Sequence, residues 1–163
     1  MSLDLFRIDD RLIHGQVVVG WGQPCGLGFL VLVDDAVVDS EWEQELYRMG
    51  VPPEMDLFFE SVDSAAARIA DYRADRRPGL LLTGDIATMA ALAAKVPGIR
   101  TVTIGGIHHQ QGRVPRLRYV FLTPDEERQL QALASTGVTV VAQDVPSGPA
   151  VPLADVLAGD GTR

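Results

Sequence analysis

The sequence predicts an α/β fold: a single three-layer α/β/α domain built on a mainly parallel sheet. Three observations carry that reading. Short apolar runs rich in β-branched and aromatic residues recur along the chain, the pattern of strands buried on both faces. Between them lie longer amphipathic or Ala-rich stretches that open on helix-start signals. Strands that alternate with helices in this way require crossover connections, which lay helices on both faces of a parallel sheet.

The first element is the alternating segment Leu3-Asp4-Leu5-Phe6-Arg7-Ile8, a strand, followed by a polar loop up to His14. Gly15-Gln16 opens a helix that continues into Val17-Val18-Val19-Gly20-Trp21-Gly22. These are poor helix formers, so it should be short and held by packing. Buried strands are expected at Gly28 to Val33, Asp56 to Phe59, Leu80 to Leu82, Thr101 to Ile104, Tyr119 to Leu122 and Val138 to Ala142. Ser40-Glu41-Trp42-Glu43 has the form of a capping box, and Thr123-Pro124-Asp125-Glu126 is a second with Pro at the first helical position. The helix from Thr123 should stop at Gly137, a suitable left-handed cap. Ser64 to Arg73 and Ile86 to Lys95 read as helices packed on the sheet. The domain takes in residues 1–163, with 146–163 as a Pro-, Gly- and Ala-rich end holding a short helix around Leu153 to Leu157 and a frayed tail.

Composition removes several function classes. The 163 residues are 47% hydrophobic and 22% charged, enough for one full core. A net charge of −8 argues against nucleic acid and anionic membrane as partners. Cys25 is the sole cysteine, so neither a disulfide framework nor a thiolate metal cluster is expected. The chain opens in a strand rather than a basic segment before an apolar core. No apolar run approaches the roughly 20 residues of a membrane span. The expected location is the cytoplasm.

The chemistry concentrates in the loop after the first strand, where Asp9, Asp10, Arg11 and His14 fall within six residues. Imidazole is the side chain best suited to accept and return a group near neutral pH. A guanidinium three residues away is a natural partner for phosphate oxygens. To attack phosphorus the imidazole must be neutral, with one nitrogen free and the other engaged. Asp9, Asp10 or a backbone carbonyl can supply that engagement. Backbone N–H groups at Gly15 and Gln16 add donors at a helix start, and Gly15 lets the backbone approach the phosphate closely. The loop therefore reads as a phosphoryl-carrying histidine site, because such loops lie beyond the carboxyl ends of strands in open α/β sheets.

Other residues receive plainer readings. Asp10 is a solvated turn residue or a partner of Arg11, and Arg7 is a structural or partner-facing charge. Gly105 and Gly106 let a neighbouring loop, with His108, approach the His14 loop. His108 and His109 point their rings apart and have no acidic or Cys partner at ligand spacing, so no metal is expected. Arg113, Arg116 and Arg118 face solvent or a partner. Trp21 and Trp42 are packing residues, and Cys25 is a small buried hydrophobe.

Asp9-Asp10-Arg11-Leu12-Ile13-His14-Gly15-Gln16-Val17, with Trp21 after it, resembles the active-site signature of the IIB subunits of the mannose/fructose/sorbose family of the sugar phosphotransferase system. Val33-Asp34-Asp35, Ile104-Gly105-Gly106-Ile107-His108 and Gln143-Asp144-Val145-Pro146 resemble family segments at the expected places, so the likeness spans nearly the whole chain. The resemblance implies a phosphotransferase needing no cofactor and charged on Nδ1 of His14 by a IIA partner. It would deliver the phosphoryl group to a sugar held by membrane subunits IIC and IID, and would form a homodimer. Arg11 would hold the phosphoryl oxygens, and Asp9 would orient the loop or the imidazole. The chain departs from the family at Leu82-Thr83-Gly84-Asp85, where a basic or polar residue and a Pro are usual. A different class of function is a regulatory protein that keeps the phosphorylatable His14 but reports phosphorylation state. A nucleotide module is disfavoured by the lack of a glycine-rich phosphate loop.

Overall fold

The computed structural model describes residues 3–163. The chain runs β1 (Leu3–Ile8), a π-helical segment (Gln16–Trp21), β2 (Phe29–Val33), a 3-10 turn (Val37–Asp39), α1 (Glu41–Met49), β3 (Asp56–Glu60) and α2 (Val62–Ala74). It continues through β4 (Gly79–Thr83), α3 (Ile86–Lys95), β5 (Thr101–Ile104), β6 (Val114–Leu117), β7 (Val120–Leu122) and α4 (Pro124–Ser135), and ends with β8 (Thr139–Ala142), β9 (Val151–Pro152) and α5 (Leu153–Leu157).

Seven strands form one sheet in the order β3-β2-β4-β1-β5-β8-β9. Every neighbouring pair is parallel except β8 with β9. Every residue of β2 and β4 is buried, as expected of central strands covered on both faces. One face packs through Phe6, Ile8, Val31 and Leu81 against Ile69, Met89, Leu92 and Leu130 of α2, α3 and α4. The other packs through Leu30, Leu32, Leu80 and Leu82 against Val17, Val18 and Trp21 of the π-helical segment. The expected three-layer, mainly parallel fold is therefore found. β1 lies between β4 and β5, and the chain leaves β1 towards one side of the sheet and β5 towards the other. Such a reversal opens a crevice at the carboxyl ends of the two strands.

Some elements differ from expectation. The strand expected at Tyr119 to Leu122 starts at Val120 and lies outside the parallel sheet. It pairs antiparallel with β6 in a separate hairpin, because Leu117 and Val120 are too close in sequence for a crossover. Ile107 anchors this hairpin, donating its N–H to Tyr119 O and accepting from the Phe121 N–H. The helix at Ser40 forms without a side-chain cap, whereas Ser61 and Ser64 form a reciprocal box that begins α2. Backbone torsion decides between them. Ser61 (ψ 170°) and Thr123 (ψ 159°) aim their hydroxyls at the helix start, and Ser40 (ψ 94°) does not. Trp42 is 67% exposed and is not a core packing residue, since α1 buries none of its residues fully. The tail after α5 is not frayed: Arg163 O accepts from the Arg118 N–H at 2.8 Å.

Candidate functional site

The loop after β1 is pinned from both sides by backbone. Asp9 donates its N–H to Thr83 O at the end of β4 (2.9 Å), and Asp10 donates to Gly106 O beyond β5 (2.9 Å). A tight turn follows, closed by the Leu12 N–H on Asp9 O, with Leu12 at φ 59°. That left-handed conformation costs a non-glycine residue about 1–2 kcal/mol, so the surrounding contacts must hold it. One of them is visible. The Leu12 side chain lies over Gly84, where a Cβ would fall 2.7 Å from Leu12 Cδ2. The Thr83-Gly84-Asp85 segment thus borders the loop and makes room for its turn.

Asp9 is fully buried and is the centre of the site. Its Oδ1 accepts from the Arg11 N–H and Nε, and its Oδ2 from Arg11 Nη2 and the Gly106 N–H, all at 3.1 Å. Arg7 Nη2 stands 3.6 Å from Oδ2, and His14 Nε2 stands 3.3 Å from Oδ1. Burial opposes ionisation of this carboxyl. The nearby His14 and hydrogen bonds from Arg11 and Gly106 outweigh burial and hold it well below the usual carboxylate range.

The His14 imidazole is nearly fixed. Its Nδ1 accepts the Gln16 N–H at 3.1 Å, and its side chain keeps 18% of its surface exposed. A ring nitrogen that accepts a hydrogen bond carries no proton, so neutral His14 holds its proton on Nε2, towards Asp9. Nδ1 therefore presents a lone pair beside a backbone N–H that a new acceptor could take over. Arg11 closes the other side, donating from Nη2 to Gln16 Oε1 as well as to Asp9. Among the described residues its Nη1 has no protein partner.

A layer beneath supports this arrangement. Arg7, 1% exposed, donates to Gln143 O (2.8 Å) and Asp144 O (3.1 Å) and stacks on Trp21 with Cζ 4.7 Å from the ring centroid. Burial lowers the pKa of its guanidinium, opposed by Asp9 and Asp144. Asp144 also receives Gln16 Nε2 on its carboxylate (2.6 Å) and Trp21 Nε1 on its carbonyl (2.9 Å). Gly105 and Gly106 allow the close approach. A Cβ at Gly105 would fall 2.7 Å from Asp9 Oδ2, and one at Gly106 3.0 Å from Arg11 Nη2. Gly15 differs, since a Cβ there would meet nothing within 4 Å.

The structure thus brings Asp9, Arg11, His14, Gln16, Gly105 and Gly106 together, with Gly15 at the rim. Arg11 pairs with Asp9 and not with Asp10. Asp10 instead faces His108, and Arg113 and Arg116 are paired internally with Glu126 and Glu127 rather than turned to solvent. His109 lies apart, edge-on to Phe121. Among the described residues no three metal-binding side chains converge, and Cys25 is only half-buried. No helix of the described residues is long and apolar enough to cross a membrane. Residue-by-residue reading missed Gln143 and Asp144 as the acceptors of Arg7. An arginine set between Phe6 and Ile8 in a strand was the available signal.

The family model for the PTS system sorbose subfamily IIB component matches residues 3–163. The sorbose-specific EIIB component of Klebsiella pneumoniae is 30% identical over 161 residues, covering 96% of each chain. The N-acetylgalactosamine-specific phosphotransferase enzyme IIB component 1 of Escherichia coli is 30% identical over 145 residues, covering 87% of this chain and 90% of that one. The crystal structure of the IIBSor domain of the K. pneumoniae sorbose permease superposes with a TM-score of 0.86 at 27% identity over 97% of both chains.

Proposed function

Since the chain belongs to the sorbose subfamily of phosphotransferase-system IIB components, we propose that it carries a phosphoryl group on Nδ1 of His14. It accepts the group from a IIA protein at the cytoplasmic face and delivers it to a sugar bound by IIC and IID subunits, and it works as a homodimer. The observation that carries this reading is the polarity of the imidazole, with Nε2 turned to a buried carboxylate and Nδ1 to a backbone N–H. In charging, the Nδ1 lone pair forms the N–P bond as the donor's bond to phosphorus breaks. Nε2 keeps its proton, and Asp9 balances the phospho-imidazolium. The Gln16 N–H and Arg11 Nη1 can then turn to the phosphoryl oxygens, where preorganised donors act most strongly. No feature of the site favours the phosphorylation-reporter alternative.

The test is incubation with a IIA, the general phosphotransferase proteins and phosphoenolpyruvate. Wild type should acquire acid-labile phosphate, and His14→Ala should acquire none by mass spectrometry. Labelling that persists in His14→Ala, for instance on His108, would sink the assignment.

Arg11→Ala should remain folded, because its side chain is 37% exposed. It should be charged about 10²- to 10³-fold more slowly, the usual cost of one preorganised donor. A wild-type charging rate in quench-flow would restrict Arg11 to neutralising Asp9.

A further inference from the structure

The array that holds His108 has no part in carrying a phosphoryl group on His14. His108 Nδ1 lies 2.6 Å from Asp10 Oδ1, and its backbone N–H donates to Asp10 Oδ2 at 2.7 Å. Arg113 Nη1 donates to His108 O (2.8 Å) and stands 3.8 Å from Asp10 Oδ2. Its Nε and Nη2 grip Glu126 (3.0 and 2.8 Å), whose Oε1 accepts the Thr123 N–H at the start of α4. Arg113 and Asp10 are mostly buried, at 9% and 20% exposure, while the ring they hold is 51% exposed. Largely buried charges are thus spent on fixing an imidazole that faces outwards. The ring also stands at the site. A Cβ at Gly106 would lie 2.9 Å from His108 Cε1 and 3.0 Å from Arg11 Nη2, so imidazole and guanidinium both border the same glycine.

The two adjacent carboxylates orient their imidazoles in opposite senses. Asp9 engages Nε2 of His14 and leaves Nδ1 to react, whereas Asp10 engages Nδ1 of His108 and leaves Nε2 turned away from the carboxylate. Accepting a phosphoryl group on neutral His14 releases no proton. Delivering it to a hydroxyl releases one.

We propose that His108, oriented by Asp10, is the general base of delivery to the sugar; the inference rests on the carrier reading above. A sugar hydroxyl oxygen forms the O–P bond as the P–Nδ1 bond breaks, and that electron pair returns to Nδ1. His14 leaves as a neutral imidazole with its proton still on Nε2. The hydroxyl proton passes to Nε2 of His108, whose imidazolium charge Asp10 balances until water removes the proton. A positioned base of this kind contributes about 10²- to 10⁴-fold.

His108→Asn keeps an N–H donor at the place of Nδ1 and removes the base. Its charging by phosphorylated IIA is compared with wild type. Delivery is then followed from the charged protein to labelled sorbose, fructose, mannose and N-acetylgalactosamine, in inverted vesicles carrying sorbose-type IIC and IID. The expected result is charging within about twofold of wild type. At saturating carrier, delivery should fall about 10²- to 10⁴-fold in kcat with KM for the carrier unchanged. Unchanged delivery overturns the proposal, as does a loss in KM alone, which would mark a docking residue. Equal losses in both half-reactions also overturn it, since His108 would then belong to the phosphate cradle. Wild type that charges but delivers to none of the sugars overturns it while leaving the carrier standing. Failure of wild type to charge removes the carrier reading itself.

Discussion

Asp9→Asn is expected to slow charging of His14 by about 10³- to 10⁴-fold, the scale seen when a buried aspartate that fixes a histidine tautomer is neutralised. An amide has one accepting oxygen, and Asp9 accepts on both. If the amide nitrogen takes the Oδ1 place it meets the Arg11 N–H and Nε and the Nε2 proton of His14; in the Oδ2 place it meets Arg11 Nη2 and the Gly106 N–H. Either way two donors collide, and the buried Arg7 loses its nearest carboxylate. Removing one partner of a buried ion pair costs about 3–5 kcal/mol, so the melting temperature should fall as well. The pH dependence has a fixed sign. A carboxyl whose folded pKa lies below its unfolded value of about 4 gives its full stabilisation above pH 4 and loses it as pH falls towards the folded value. The gap in stability between wild type and Asp9→Asn should narrow as pH falls below about pH 4. An Asn variant that charges at the wild-type rate would confine Asp9 to a structural role.

Gly105→Ala should be the most damaging glycine change in the site. The new methyl falls 2.6 Å from Arg7 Cζ and 2.7 Å from Asp9 Oδ2. A guanidinium on a free side chain would swing aside, but this one is held by two carbonyls and the Trp21 ring. Overpacking of a filled interior costs about 1–3 kcal/mol. Displacing Asp9 by even a fraction of an ångström misaligns His14, and an error near 1 Å is worth about 10²-fold in rate. Gly15→Ala is the control, because its methyl enters open space and should leave the melting temperature unchanged. If Gly105→Ala melts and charges like wild type, the Arg7–Asp9 packing is not what positions the imidazole.

Much of this was legible in the sequence, and the remainder was hidden for definable reasons. Thr101–Ile104 and Ile86–Lys95 have the expected bounds, because β-branched runs and an Asp-capped Ala-rich helix are local signals. The grouping of Asp9, Arg11 and His14 was legible because all three lie in one loop. The pairing of Asp10 with His108 spans 98 residues, and that of Arg7 with Gln143 spans 136, so no window of sequence contains either. The β6 strand escaped because Pro115 and Arg116 interrupt its pattern. The short helix after His14 was expected to be held by packing, as Val17, Val18 and Trp21 are against the sheet, and only its π-helical form escaped.

The distance in sequence between Arg7 and its acceptors also sets an order of events during synthesis. Arg7 leaves the ribosome more than 130 residues ahead of Gln143 and Asp144. At about 5–20 residues per second, that is a wait of roughly 7 to 27 s. For part of that interval β1 lacks β4 and then β5, and throughout it the guanidinium lacks the two carbonyls that hold it in the complete fold. A nascent or prematurely terminated chain that stops before residue 143 therefore cannot bury Arg7 as the finished chain does, and Asp9 and His14 lose the support beneath them. The site is completed only once residues 143 and 144 have been made, so copies that stop short of them cannot assemble a working loop and compete for a phosphoryl donor.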